Sequence, residues 1–233
     1  MLICFNGVDG SGKSFQAQRL MERLDQAGYP AVQVWNGGKS SVTRYIIMVG
    51  KRVLGAPQRR ELGKKAPPQT VARYNAYLGS MQRMFRRRWL RTLWLHISLL
   101  EHALEIWVAT LPHLMRGRVV ISDRYLYDTV VNIAVLSGLP ADELPALLRA
   151  TRFYPVPRPQ RWFFLDVSPE EAFRRKDDIA DLAFLERRVP LYRQLAGEYG
   201  LVTLDAAADP DTISELIWSQ VEPLLPRSAS AVV

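Results

Sequence analysis

Leu2 to Ser14 reads LICFNGVDGSGKS, and this stretch decides the fold. Leu2-Ile3-Cys4-Phe5 is a short apolar run that breaks into a glycine-rich turn, as a buried parallel strand does. Gly7 to Ser14 then matches G-x-x-x-x-G-K-[ST] without a substitution. Average residue usage would produce such a match by chance in a chain of this length in roughly one case in a hundred. The context the motif needs is also present, because a helical pattern follows from Lys13 to Ala27 with Gly28 as its C-cap. Glycines let the backbone curl so that successive N–H groups point at phosphate oxygens, and the helix aims its positive dipole end at the same place. Lys13 would neutralise the outer phosphates and the Ser14 hydroxyl would ligate Mg²⁺. ATP and Mg²⁺ are therefore the expected cofactors, with Gly7, Gly10, Ser11, Gly12, Lys13, Ser14 and Phe15 forming the donor cradle.

Outward from this motif, apolar runs recur at Ala31–Trp35, 118–122, 161–167 and 201–204, separated by helical patterns. Strands alternating with helices imply βαβ units. The expected fold is a three-layer α/β sandwich with a five-stranded parallel sheet. The segment 39–117 is too long for one crossover. It holds a proline-containing loop at 55–69 and then one long helical pattern from about Thr70 to His113, and it reads as a helical insertion. Residues 1–225 are expected to form a single domain and 226–233 a frayed tail.

Val119-Val120-Ile121-Ser122-Asp123-Arg124 is a buried strand ending in a carboxylate. The crevice of such sheets lies at the carboxyl ends of the strands, so Asp123 is a candidate metal ligand and Arg124 a candidate phosphate contact. Asp9 lies inside the phosphate cradle, where it would repel a nucleotide unless it held a cation or oriented a second substrate. Arg174-Arg175-Lys176 could clamp a phosphoryl group or could be a charge run at a helix end. His96, His102 and His113 have no metal-ligand spacing.

The chain has 233 residues, 48% hydrophobic and 23% charged, which is enough apolar material for a core and excludes a disordered chain. One cysteine, Cys4, excludes an internal disulfide, and a reducing, cytoplasmic setting is expected. The N-terminus lacks the charged region of a signal peptide. The net charge is +8, but residues 37–100 hold fourteen Lys or Arg against one acid, Glu61. That block carries +13 and the rest −5, which points to an anionic partner. Within it, Phe85, Trp89, Leu93 and Ile97 would form an apolar stripe opposite Arg87, Arg88 and Arg91. Three readings stay open for residues 84–95: a packed helix, an anionic membrane surface with peripheral attachment, or a basic channel for the acceptor. Nucleic acid is disfavoured, since no reading module is present.

These motifs together resemble the thymidylate kinase family of P-loop nucleoside-monophosphate kinases. GVDGSGKSFQ resembles its P-loop, ISDRY (Ile121–Tyr125) its Asp-Arg motif, FLDVSPEEAFRR (Phe164–Arg175) the element leading to its lid, DLAFLERRVPLYRQLA (Asp181–Ala196) the helix after the lid, and TLDA (Thr203–Ala206) the strand near adenine. The resemblance implies that Arg175 contacts the nucleotide, that Ala206 and Ala207 border adenine, that Asp9 and Arg124 position the acceptor phosphate, and that dimers are common. In catalysis it assigns Lys13, Asp9, Arg124 and Arg175. Trp35-Asn36-Gly37-Gly38-Lys39 departs from the family's charged segment. Counting back from Asp123 puts Leu99 and Ala103 where the family has an aromatic residue and an arginine. Glu101, Glu105 and Arg73 are candidate replacements. The expected function is ATP-dependent phosphoryl transfer to a small anionic acceptor other than dTMP. The alternatives are a kinase of a phosphosugar or cell-surface precursor, or a non-catalytic nucleotide-binding module.

Overall fold

The structure, a computed structural model, describes residues 1–37, 42–53, 55–57, 61, 67–139, 141–177, 179 and 181–226. Five strands form the sheet: β1 (Leu2–Asn6), β2 (Ala31–Trp35), β3 (Val119–Asp123), β4 (Arg161–Asp166) and β5 (Val202–Asp205). All pairings are parallel and the order is β2-β3-β1-β4-β5. This is the expected five-stranded parallel sheet of a P-loop kinase fold. β1 and β3 are buried on both faces, which is why they read as unbroken apolar runs. The sheet reverses its winding around β1, and the ends of β1, β2 and β3 open onto one crevice.

The helices are α1 (Lys13–Gln26), α2 (Val42–Val53), α3 (Pro68–Phe85), α4 (Arg88–Met115), α5 (Leu126–Ser137), α6 (Leu144–Ala150), α7 (Pro169–Arg175), α8 (Leu182–Glu186), α9 (Val189–Tyr199) and α10 (Pro210–Val221). The single helix expected from Thr70 to His113 is two helices. Arg87 is extended (φ −74°, ψ 106°) and breaks the run. The break buries Phe85, whose ring meets Trp94 across the elbow at 6.1 Å. Tertiary packing decides this, because Met84 to Leu90 contains no proline or glycine to announce it. Phe85 therefore leaves the expected stripe, while Trp89, Leu93 and Ile97 stay exposed.

The core lies between β1, β3, β4 and the faces of α1, α4, α5 and α9. α4 buries Leu95, Leu99, Ala103 and Ile106. No described helix is long and apolar enough to cross a membrane. The expected tail at 226–233, apart from Pro226, lies outside the described residues, as do Gly38 and Lys39.

Candidate active site

The chain leaves β1 at Asn6, curls, and enters α1 at Lys13. The curl depends on glycine where it is tightest. Gly10 has φ +89°, and a Cβ there would stand 2.4 Å from the Ala172 carbonyl oxygen of α7. The loop thus touches the helix that follows β4. Gly12, also left-handed, is the N-cap of α1. Lys13 is buried, and its Nζ donates to Val8 O at 2.6 Å and to Ser11 Oγ at 3.4 Å. Burial first, then repulsion by Arg124, lowers Lys13 to about 8. The free loop therefore stores a partly disfavoured charge that a phosphate would welcome.

Parallel register sets Phe5 of β1 opposite Asp123 of β3. Asp123 Oδ2 accepts from Ser14 Oγ at 2.6 Å, joining the two motifs. Asp123 Oδ1 is buried and lacks a hydrogen-bond partner among the described residues. An orphaned carboxylate oxygen beside a hydroxyl is a hard oxygen pair, and its chemistry fits Mg²⁺ shared with phosphate oxygens. Among the described residues no cluster of three or more His, Cys, Asp or Glu could hold a metal by itself. Most of such an ion's coordination would therefore come from the nucleotide and water.

Arg124 has φ +75°, the one left-handed residue other than glycine among those described. A chain of bonds holds it there. His102 Nε2 donates to Asn36 O at 2.8 Å, because a carbonyl only accepts. Asn36 Nδ2 donates to Ser122 Oγ, and Ser122 Oγ donates to Arg124 O, both at 2.7 Å. Burial lowers the pKa of His102 and favours the neutral ring, which makes this bond as the Nε2–H tautomer. The Arg124 guanidinium then meets two carboxylates. Its Nη2 pairs with Asp9, and its Nη1 donates to Asp128 Oδ1 at 3.1 Å. Burial opposes this charge, but Asp128, Tyr192 and Asp9 hold it well above the ordinary arginine range.

A cleft of about 220 Å³ is lined by Asp9, Lys13, Ser14, Trp35, Asp123, Arg124 and Lys176, among others. The sequence-derived residues thus converge, including Gly10, Gly12 and Phe15. The basic cluster does not act as one. Arg174 pairs with Glu171, and Arg175 pairs with Glu171 and donates to Ala206 O at 2.8 Å. Hydrogen bonds from Arg174 and Arg175 push Glu171 down to about 2. Only Lys176 reaches the cleft. Arg175 and Ala206 do meet, at the turn after β5, where Ala207 is exposed. Leu99 and Ala103 lie in the main core and are absent from the cleft lining. α4 reaches the end of β2 through His102 instead.

Sequence reasoning did not single out the roles of Trp35, His102, Asp128, Arg188 and Tyr192, and it offered Lys176 only within a cluster. Asp128 carried a local signal, since it is the third residue of a helix whose N-cap amide, Tyr125 N, it accepts at 3.0 Å. The others are joined only by the fold.

No family model matches the chain. Curated relatives do. A thymidylate kinase of Symbiobacterium thermophilum is 29% identical, over 97% of this chain and 95% of its own length. A thymidylate kinase of Chlorobium chlorochromatii is 24% identical over 100% and 99%. A probable thymidylate kinase of Sulfurisphaera tokodaii is 26% identical over 91% of each. These likenesses span the helical segment between β2 and β3 as well as the phosphate loop. They support a place for the chain among the thymidylate kinase-like nucleoside-monophosphate kinases.

Proposed function

We propose that this thymidylate kinase-like chain transfers the γ-phosphoryl group of ATP to a phosphorylated small molecule. The observation that carries the reading is the cleft itself, in which Lys13, Ser14 and Asp123 face the Asp9–Arg124 pair. An oxygen of the acceptor phosphate attacks the γ-phosphorus, the bond to the β-phosphate oxygen breaks, and ADP leaves. Catalysis of this kind is mostly positioning and charge neutralisation. Lys13 would hold the outer phosphates, and Ser14 and Asp123 would hold Mg²⁺. The ion, when bound, would neutralise charge on the bridging oxygens. Arg175, Ala206 and Ala207 would border the nucleotide, and Asp9 would orient the acceptor.

The acceptor we infer is not dTMP, although the relatives are named for thymidylate. In place of an aromatic residue and an arginine, α4 carries Leu99 and Ala103 in the core, and the end of β2 presents Trp35 to the cleft. Gly37 leaves the indole room, since a Cβ there would stand 2.2 Å from the ring. The expected result of an ADP-release screen with ATP and Mg²⁺ is turnover of one phosphorylated compound in a panel of monophosphates and phosphosugars. dTMP turnover is expected far below ordinary kinase rates of about 1–100 s⁻¹. Turnover of dTMP at such a rate would sink the acceptor reading and keep the kinase reading. ATP binding with no acceptor found would favour a nucleotide-binding module.

The reading extends to a homodimer. α4 is apolar on both sides. Opposite its core face, Trp89, Leu100 and Leu111 lie eleven residues apart, as do Leu93, Leu104 and Met115, and all are exposed. A helix apolar all round is normally covered, and a second copy would cover the stripe along its whole length. An anionic membrane would meet only the end where Arg86, Arg87 and Arg88 cluster, because Glu101 and Glu105 flank the rest. Light scattering should give a dimer for the parent and a monomer for Leu104→Glu. A monomeric parent that floats with anionic but not neutral liposomes would reverse this choice.

A further inference from the structure

The arginines around the Asp9–Arg124 pair are unequal. Arg124 meets two carboxylates, Asp9 and Asp128. Arg188 packs beside α5 through Asn132 and feels the charges of Asp9 and Arg124 as well as Tyr74 on α3 and Tyr192 on α9. Its surroundings are otherwise neutral. Nη1 donates to Phe184 O at 3.3 Å, Nη2 donates to Asn132 Oδ1 at 3.4 Å, and the guanidinium lies 3.7 Å over the Phe184 ring. Both hydrogen bonds are long. Among the described residues no carboxylate lies within ion-pair distance of Arg188. Exposed arginines such as Arg86 or Arg87 need none, because water solvates them. Arg188 is half-buried, and burial weakens its hold on its proton below the ordinary arginine range. A guanidinium taken from water and left with weak neutral partners is costly unless a ligand completes it.

We propose that Arg188 is the anion-binding residue of the acceptor site and holds the phosphate of the acceptor on the α3–α5–α9 side of the Asp9–Arg124 pair. This rests on the phosphotransferase reading and deepens it. Arg124 is pinned by two carboxylates. Arg188 brings an uncompensated charge and a planar fork that matches a phosphate. The Phe184 ring below it fixes the plane of the fork.

The test separates donor and acceptor binding. The protein is saturated with ADP and Mg²⁺, so that the phosphate loop is filled, and titrated calorimetrically with inorganic phosphate. The parent is expected to bind phosphate, and Arg188→Gln to bind it about 10- to 100-fold more weakly. ADP affinity should be unchanged. Arg188→Lys, which keeps the charge and loses the fork, should fall between the two. Titrations with dTMP and with ribose 5-phosphate should show the same loss if the shared phosphate is what Arg188 holds, and the tighter of the two tells a nucleotide from a phosphosugar. Phosphate binding unchanged in Arg188→Gln, or absent from an ADP-loaded parent, would overturn the assignment alone. So would an equal loss of ADP affinity, which marks a structural role. A parent that does not bind ADP would overturn the kinase reading and this one with it.

Discussion

Lys13→Ala is expected to lower ATP-dependent phosphoryl transfer by on the order of 10³-fold while leaving the fold intact. The buried Nζ donates to the loop itself, at Val8 O and Ser11 Oγ, and its hydrogen bonds among the described residues hold no other element. Burial and the nearby Arg124 already disfavour its charge and bring it to about 8 in the free protein. In the unfolded chain it would titrate near its ordinary 10.5. The folded form therefore binds fewer protons than the unfolded form between those values. Its cost to stability is full below pH 8 and is lifted as pH rises toward 10.5. The alanine variant does not carry that cost, so its thermal midpoint without nucleotide should not fall below the parent's near neutral pH. Nucleotide phosphates should raise the Lys13 value again. ADP binding to the parent at about pH 9 should then take up a proton, and affinity should weaken as pH rises through 8. Calorimetry in two buffers of different ionisation enthalpy reads the uptake. Full turnover by Lys13→Ala, or no proton uptake by the parent, would contradict this account of the donor site.

The donor half was legible in the sequence because its signals are contiguous. Strand, glycine curl, lysine and helix follow one another within Leu2 to Gln26, and each constrains the next. Ile121-Ser122-Asp123-Arg124 was legible for the same reason. Parallel register then carries Asp123 to Ser14 with no further choice. What was not legible depends on separate segments meeting. Arg188 reads as one more arginine in a helical charge run until α8 and α9 place it beside α5. His102 reads as a core histidine, and it is one, but its ring hydrogen steers the end of β2. The elbow at Arg87 was missed because nothing local breaks the helix; the burial of Phe85 does. The acceptor side was not legible by counting along α4. Counting fixes a position on the chain, whereas Leu99 and Ala103 are committed to the core by the face they occupy.

Asp128→Ala is expected to destabilise the protein by about 3–5 kcal/mol, the cost of removing one partner from a buried ion pair. Asp128 is 2% exposed and collects four donors from three parts of the chain. Asn6 Nδ2 at the end of β1 donates at 2.6 Å, Tyr125 N at 3.0 Å, Arg124 Nη1 at 3.1 Å, and the Tyr192 hydroxyl of α9 completes the set. Alanine would leave one arm of a guanidinium, an amide, a phenol and a backbone N–H without this acceptor in the interior, where such groups are expensive. For a chain of this size that cost is a fall in melting temperature of roughly 6–20 °C. Asp128→Asn keeps the shape and one acceptor oxygen but turns an N–H₂ toward donors, so it should lose less. The pair of variants also separates scaffolding from positioning. If Asp128 served only to hold the fold, the asparagine variant would be less stable with unchanged kinetics. The geometry implies more. Arg124 sits at φ +75° and is shared between Asp128 and Asp9. Loss of one carboxylate frees the guanidinium to move, and Asp9 moves with it. The Michaelis constant for the acceptor should then rise while ADP affinity stays, because Lys13, Ser14 and Asp123 do not touch Asp128. An Asp128→Asn protein with parental acceptor kinetics would confine this residue to the scaffold.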